Sequence, residues 1–129
     1  MDTEQHHVDP RWVATSFFKR RPESVACARN WAVQVYAEAG GPLPDICELL
    51  VSEVATNAVV HGGGSEYRVS VRADFSIEVW DESPVEPQRR QADDSSIGGR
   101  GLELLEALSD YTVCHELGGK TVAFMPRGW

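Results

Sequence analysis

The chain has 129 residues, enough for one compact domain and hardly enough for two. Its 42% hydrophobic and 25% charged residues are ordinary globular proportions, which excludes a disordered or fibrous chain. Twelve Lys and Arg against 20 Asp and Glu leave a net charge of −8, which argues against direct nucleic-acid binding, because phosphate contacts need a basic face.

Residues 1–11 carry no periodic pattern and read as a loose tail ahead of a single domain over 12–129. Their polar, acidic character is not that of a signal peptide, and no apolar run approaches the roughly 18 residues that span a bilayer. The expectation is a cytoplasmic protein without a membrane partner. Cys27, Cys47 and Cys114 lie far apart in apolar stretches, so they read as small buried hydrophobes in a reducing compartment.

Trp12 to Lys19 has the Val, Thr and Phe content of a strand. Pro22 suits a first helical turn, and Val25, Ala28, Ala32, Val35 and Ala39 recur at helical spacing up to Gly40-Gly41. Leu43 to His61 predicts a second helix, ended by Gly62-Gly63-Gly64. Alternating runs at Tyr67 to Arg72 and Phe75 to Trp80, separated by Ala73-Asp74, predict an antiparallel hairpin. Asp81 to Gly101 turns to Pro, Gln, Arg, Asp, Ser and Gly, and a loop that long in a small domain is usually functional or mobile. A short leucine-rich helix over Leu102 to Leu108 precedes strands at Tyr111 to Glu116 and Thr121 to Met125, joined at Gly118-Gly119. This order predicts an α+β two-layer sandwich, with a mostly antiparallel sheet and helices on one face.

Four places can carry chemistry. Glu53 and Asn57 share one stripe of the second helix, where a carboxylate and an amide can serve as a base and a metal or phosphate contact, or can simply be solvated. Asp81 ends an apolar strand; its carboxylate can accept from an exocyclic amine, or can belong to turn chemistry in Asp81-Glu82-Ser83-Pro84. Gly98-Gly99-Arg100-Gly101-Leu102 can bring backbone amides and a guanidinium to a phosphate, or act as a hinge. His61, one turn beyond Asn57, can border the site or cap its helix. Gly119-Lys120-Thr121 lacks the upstream glycines of a phosphate-binding Walker loop and reads as a hairpin turn. His6, His7 and His115 have no second ligand at metal spacing.

The ordered set Glu53-x-x-x-Asn57, strand-end Asp81, Gly99-x-Gly101-Leu102 and Thr121 resembles the histidine-kinase-like ATPases, the superfamily of gyrase B, MutL and sensor kinases. The string from Leu50 to Gly62 is most similar to its small anti-sigma-factor serine kinases. The resemblance implies a Bergerat-type fold that binds ATP with Mg²⁺. Asn57 would complete the Mg²⁺ shell, Glu53 would be the catalytic base, and Asp81 would bind the adenine amine. Thr121 would support Asp81 or its bridging water. Gly99, Arg100, Gly101 and Leu102 would contact the nucleotide, under a lid over Glu82 to Gly98 bearing Arg89 and Arg90.

The implied partners are a STAS-type anti-anti-sigma protein, whose serine is phosphorylated, and a sigma factor, with homodimerisation left open. The family's Asp-x-Gly-x-Gly pattern is here Asp81-Glu82-Ser83-Pro84-Val85, without either glycine. That departure keeps open a second reading, a non-catalytic ATP-binding module that sequesters a regulatory partner. A detached sensor-kinase catalytic domain is disfavoured, since neither His6 nor His7 lies in a long amphipathic pattern.

Overall fold

In the computed structural model, which describes residues 12–82, 99–116 and 118–127, the sequence periodicities resolve into five strands and three helices. In chain order these are β1 (Trp12–Lys19), α1 (Ser24–Glu38), α2 (Pro44–His61), β2 (Glu66–Arg72), β3 (Ile77–Asp81), α3 (Gly99–Leu108), β4 (Ser109–Glu116) and β5 (Gly119–Pro126). The strands form one sheet in the order β1-β2-β3-β5-β4, with every neighbouring pair antiparallel. This is the α+β architecture that the element order predicts. The expected tail over 1–11 and the lid residues 83–98 lie outside the described residues.

Strand alternation sorts the side chains into two faces. Val69, Val71, Ile77, Val79, Val122 and Phe124 are turned to the helices and are fully or almost fully buried. They meet Ala28, Ala32 and Tyr36 of α1 and Leu50, Val51, Val54 and Ala58 of α2. Removing a Val, Leu or Phe side chain from water contributes about 1.5–3 kcal/mol, so this interlayer contact is what holds the helices down. The other face carries Phe17, Arg68 and Trp80 in register across three strands, with the Arg68 guanidinium 5.5 Å from the Trp80 ring.

Several boundaries differ from those the sequence predicts. Helix α1 begins at Ser24 and not at Pro22, because residues 21–23 form a turn in which Ser24 N donates to Arg21 O. Strand β3 begins at Ile77: Phe75 takes a positive φ of 71° and Asp74 accepts from both Ser76 N and Ser76 Oγ, so the hairpin turn runs through Ser76. Helix α3 begins three residues early, at Gly99, which makes the glycine run its first turn. The second hairpin turns at Gly118, whose φ of 80° suits a residue without Cβ, and Gly119-Lys120 already belong to β5.

Of the three cysteines one is buried as expected and two are not. Cys47 is buried, and burial pushes its thiol up to about 12. Cys27 and Cys114 are exposed: Cys27 precedes the core-facing Ala28 on α1, and Cys114 falls on the outward phase of the edge strand β4. Among the described residues no helix is long and apolar enough to cross a membrane.

Candidate functional site

The carboxyl end of β3 and the carboxyl end of α2 meet at Asp81. Register places Asp81 opposite Tyr67 on one side and Lys120 on the other. Extending that row on the helix-covered face gives Phe18, Tyr67, Asp81, Lys120 and His115 across all five strands. A carboxylate and an ammonium therefore stand side by side in a largely apolar layer, each about as buried as the core around them.

Asp81 is 1% exposed, with Oδ2 3.5 Å from Lys120 Nζ. Its other oxygen, Oδ1, is buried and has no hydrogen-bond partner among the described residues. Burial pushes the carboxyl above its ordinary pKa, against the opposing pull of Lys120 and, further down the order, Arg20 and His115. A buried acceptor left without a donor costs free energy, commonly about 1–3 kcal/mol, so Oδ1 marks a position where a ligand donor would be stabilising.

Helix α2 closes over this carboxylate through Gly62. The Gly62 amide donates to Ala58 O at 3.1 Å, and a Cβ at this position would lie 2.4 Å from that same oxygen and 2.9 Å from Asp81 Cγ. Only glycine allows the helix end to rest directly on the Asp81 side chain. Arg20, just past β1, locks the arrangement: its Nε donates to Gly64 O and its Nη1 to Val59 O, both at 2.8 Å.

One and two turns before the helix end stand Asn57 and Glu53. Asn57 is buried at 7% exposure despite its amide, whereas Glu53 is half-buried. Val54 and Ala58 beside them face the core, which fixes the rotation of α2 and hence the direction of the polar stripe. Ser52 and Thr56 turn their hydroxyls back onto Glu48 O and Ser52 O, so this neighbouring strip is occupied by its own helix. Exposed His61 ends the helix.

The structure thus brings Asn57 and Asp81 to one region through α2, while two expected members stand elsewhere. Thr121 pairs with Trp80 in register and points to the outer face, one residue out of phase with Asp81, so the residue that faces Asp81 from β5 is Lys120. Leu102 packs against the hydrophobic core. The backbone of Gly99, Arg100 and Gly101 forms the first turn of α3, and the amides of a helix start suit an anion. Lys120 was legible: counting back by two from the core residues Phe124 and Val122 puts it on the covered face. Arg20 carried no such signal, because its partners are 39 and 44 residues away.

The residues present fit a nucleotide. Oδ1 of Asp81 supplies an acceptor for a base amine, and the α3 amino end supplies amides for phosphate. Among the described residues no group of three or more His, Cys, Asp or Glu could hold a metal ion, and the Asn57 amide oxygen is a donor of the kind that Mg²⁺ accepts.

The family model described as a histidine kinase-like ATPase domain matches residues 18–125. The crystal structure of the RsbU and RsbW domains of Rv1364c from Mycobacterium tuberculosis superposes with a TM-score of 0.59 at 20% sequence identity. The match covers 89% of this chain and 32% of that one, so the chain spans about a third of its neighbour's length. That likeness is one of fold. A search of curated proteins returns no match.

Proposed function

Because the chain belongs to the histidine kinase-like ATPase family, we propose that it binds ATP between the carboxyl end of α2 and the Asp81 end of β3, and acts as an anti-sigma regulator that phosphorylates a serine on a STAS-type antagonist. The observation that carries the reading is the buried, unpartnered Oδ1 of Asp81. In an apolar layer such an acceptor is stabilised by a ligand N–H, and the exocyclic amine of adenine supplies one. The RsbW domain named in the structural neighbour supports the anti-sigma assignment, as does the resemblance of the Leu50 to Gly62 string.

The chain's own residues divide the work. Asp81 accepts from the base, Gly62 keeps the space beside it narrow, and Arg20 holds the α2 end in place. The α3 amides and Arg100 bind phosphate oxygens, and Asn57 offers its amide oxygen to Mg²⁺, which would neutralise triphosphate charge. Glu53 takes the proton of the attacking serine hydroxyl, whose oxygen bonds to the γ-phosphorus as the bond to the β-bridging oxygen breaks, leaving phosphoserine and ADP. Gly99, Gly101 and the lid over Glu82 to Gly98 belong to the same phosphate-binding reading. The partners are then a STAS protein and the sigma factor it releases.

A second reading is favoured by one feature of the chain: Ser83 and Val85 replace the adenine-loop glycines. In that case the domain holds ATP as a conformational ligand and captures its partner without phosphoryl transfer.

ADP and ATP should raise the melting temperature of the wild type, and Asp81→Asn should lose most of that shift. Equal shifts in both proteins would remove the base assignment. With labelled ATP, Mg²⁺ and STAS proteins, Glu53→Ala should retain nucleotide binding and lose transfer by about 10²–10⁴-fold. Wild type that binds nucleotide and partner yet transfers nothing would establish the second reading.

A further inference from the structure

Two leucines at the amino-terminal half of α2 stay out of the core: Leu43 is 39% exposed and Leu49 38%. Leu43 is held in the left-handed region, at φ 58° and ψ 55°, which asparagine or glycine adopts more readily than a bulky apolar residue. Leu49 lies one turn before Glu53 on the same stripe, about 6 Å along the axis, and Leu43 caps the helix about 15 Å before it. Beside Glu53, Ser52 and Thr56 have already given their hydroxyl protons to Glu48 O and Ser52 O. The helix carries Asp45, Glu48 and Glu53 and no Lys or Arg, so the surface leading to Glu53 is apolar and negatively charged at once.

We propose that this face of α2, from Leu43 to Glu53, docks the serine-bearing segment of the STAS partner, and that the segment is apolar and basic. The inference rests on the kinase reading and adds the residues that recognise the acceptor. On an extended segment with its serine at Glu53, running toward the helix start, the same-face residues two and four positions away fall at about 7 and 13 Å. Those distances match Leu49 and Leu43. Apolar side chains there take both leucines out of water, and a Lys or Arg beside them meets Asp45 and Glu48. The charge selects against a second copy as the occupant, because two chains of net charge −8 would set carboxylates against carboxylates.

Steady-state transfer from labelled ATP to a STAS protein, with the full chain, tests the surface. Leu49→Asp should raise the acceptor KM about tenfold or more, leaving kcat within about threefold and the rise in melting temperature with ADP unchanged. Leu43→Asn suits the left-handed backbone, so it should fold at least as stably as wild type and still raise the acceptor KM, by about three- to tenfold. Asp45→Lys should raise it as well, and should flatten its increase with salt. On the partner, Asp in place of the apolar residues two and four positions from the phosphorylated serine should reproduce the Leu49→Asp effect. An acceptor KM unchanged in both leucine variants overturns the proposal. So does a concentration-dependent dimer that Leu49→Asp dissolves, which would make a second copy the occupant. Wild type that binds ADP yet transfers to no STAS protein overturns the kinase reading and this proposal with it, a result distinct from transfer that is indifferent to Leu43 and Leu49.

Discussion

At the scale of single residues, the Asp81–Lys120 pair is an ion pair whose desolvation is only partly offset, since burial is the largest influence on the Asp81 carboxyl and moves it upward. Removing one member leaves the other charge buried, which typically costs about 3–5 kcal/mol, whereas replacing both by neutral groups of similar volume is often nearly neutral or stabilising. Lys120→Met should accordingly destabilise strongly in urea melts, and Asp81→Asn combined with Lys120→Met should recover most of the loss. The same carboxyl sets a pH signature. A raised native pKa means that the folded state binds the proton more tightly than the unfolded state, whose ordinary value is 3.8. Its contribution to stability is therefore fully present below 3.8 and is lost as pH rises through the raised native value. The stability of the wild type minus that of Asp81→Asn should fall with rising pH across that window. A difference that grows instead would show that Lys120 outweighs desolvation.

At the scale of elements, the end of α2 is held by contributions from distant parts of the chain. Leu43, in a left-handed conformation at φ 58°, and Pro44 start the helix, and Gly62 stops it against Asp81. Arg20 then satisfies Val59 O and Gly64 O, a pair of carbonyls that the helix and its exit would otherwise leave to solvent. Its planar fork serves both at once, which a lysine ammonium on a flexible stem does poorly. Arg20→Ala should lower stability by about 1–2 kcal/mol, and Arg20→Lys should restore less than half of it. Because this clamp also seats Gly62 on Asp81, the alanine variant should weaken nucleotide binding at a temperature where it remains folded. Thermal melts and a nucleotide titration on the same samples would test both effects.

For the whole molecule, stability should be graded from the sheet centre outward. β2, β3 and β5 each have a strand on both sides, and β3 and β5 lie under α2; β1 and β4 are the edges. Amide hydrogen exchange should be slowest in Val69, Val71, Ile77, Val79 and Val122, and fastest among strand amides on the open sides of β1 and β4. Protection that is highest in β1 would show that a second chain covers that edge. Bound nucleotide should slow exchange most at the α2 end and the Asp81 row. The architecture itself was legible in the chain, because alternation of period two in Tyr67 to Arg72 and helical spacing in Leu43 to His61 arise from local geometry that any core must respect. Glu53, Asn57 and Asp81 were legible for the same reason: their places on a helix stripe and at a strand end follow from short-range spacing. The strand register that sets Lys120 directly opposite Asp81, and the reach of Arg20 to Val59 and Gly64, were decided only by the folded sheet. A one-residue shift in pairing exchanges the two faces of a strand, and contacts between residues about forty positions apart have no local signature, so these features exist only once the layers have packed.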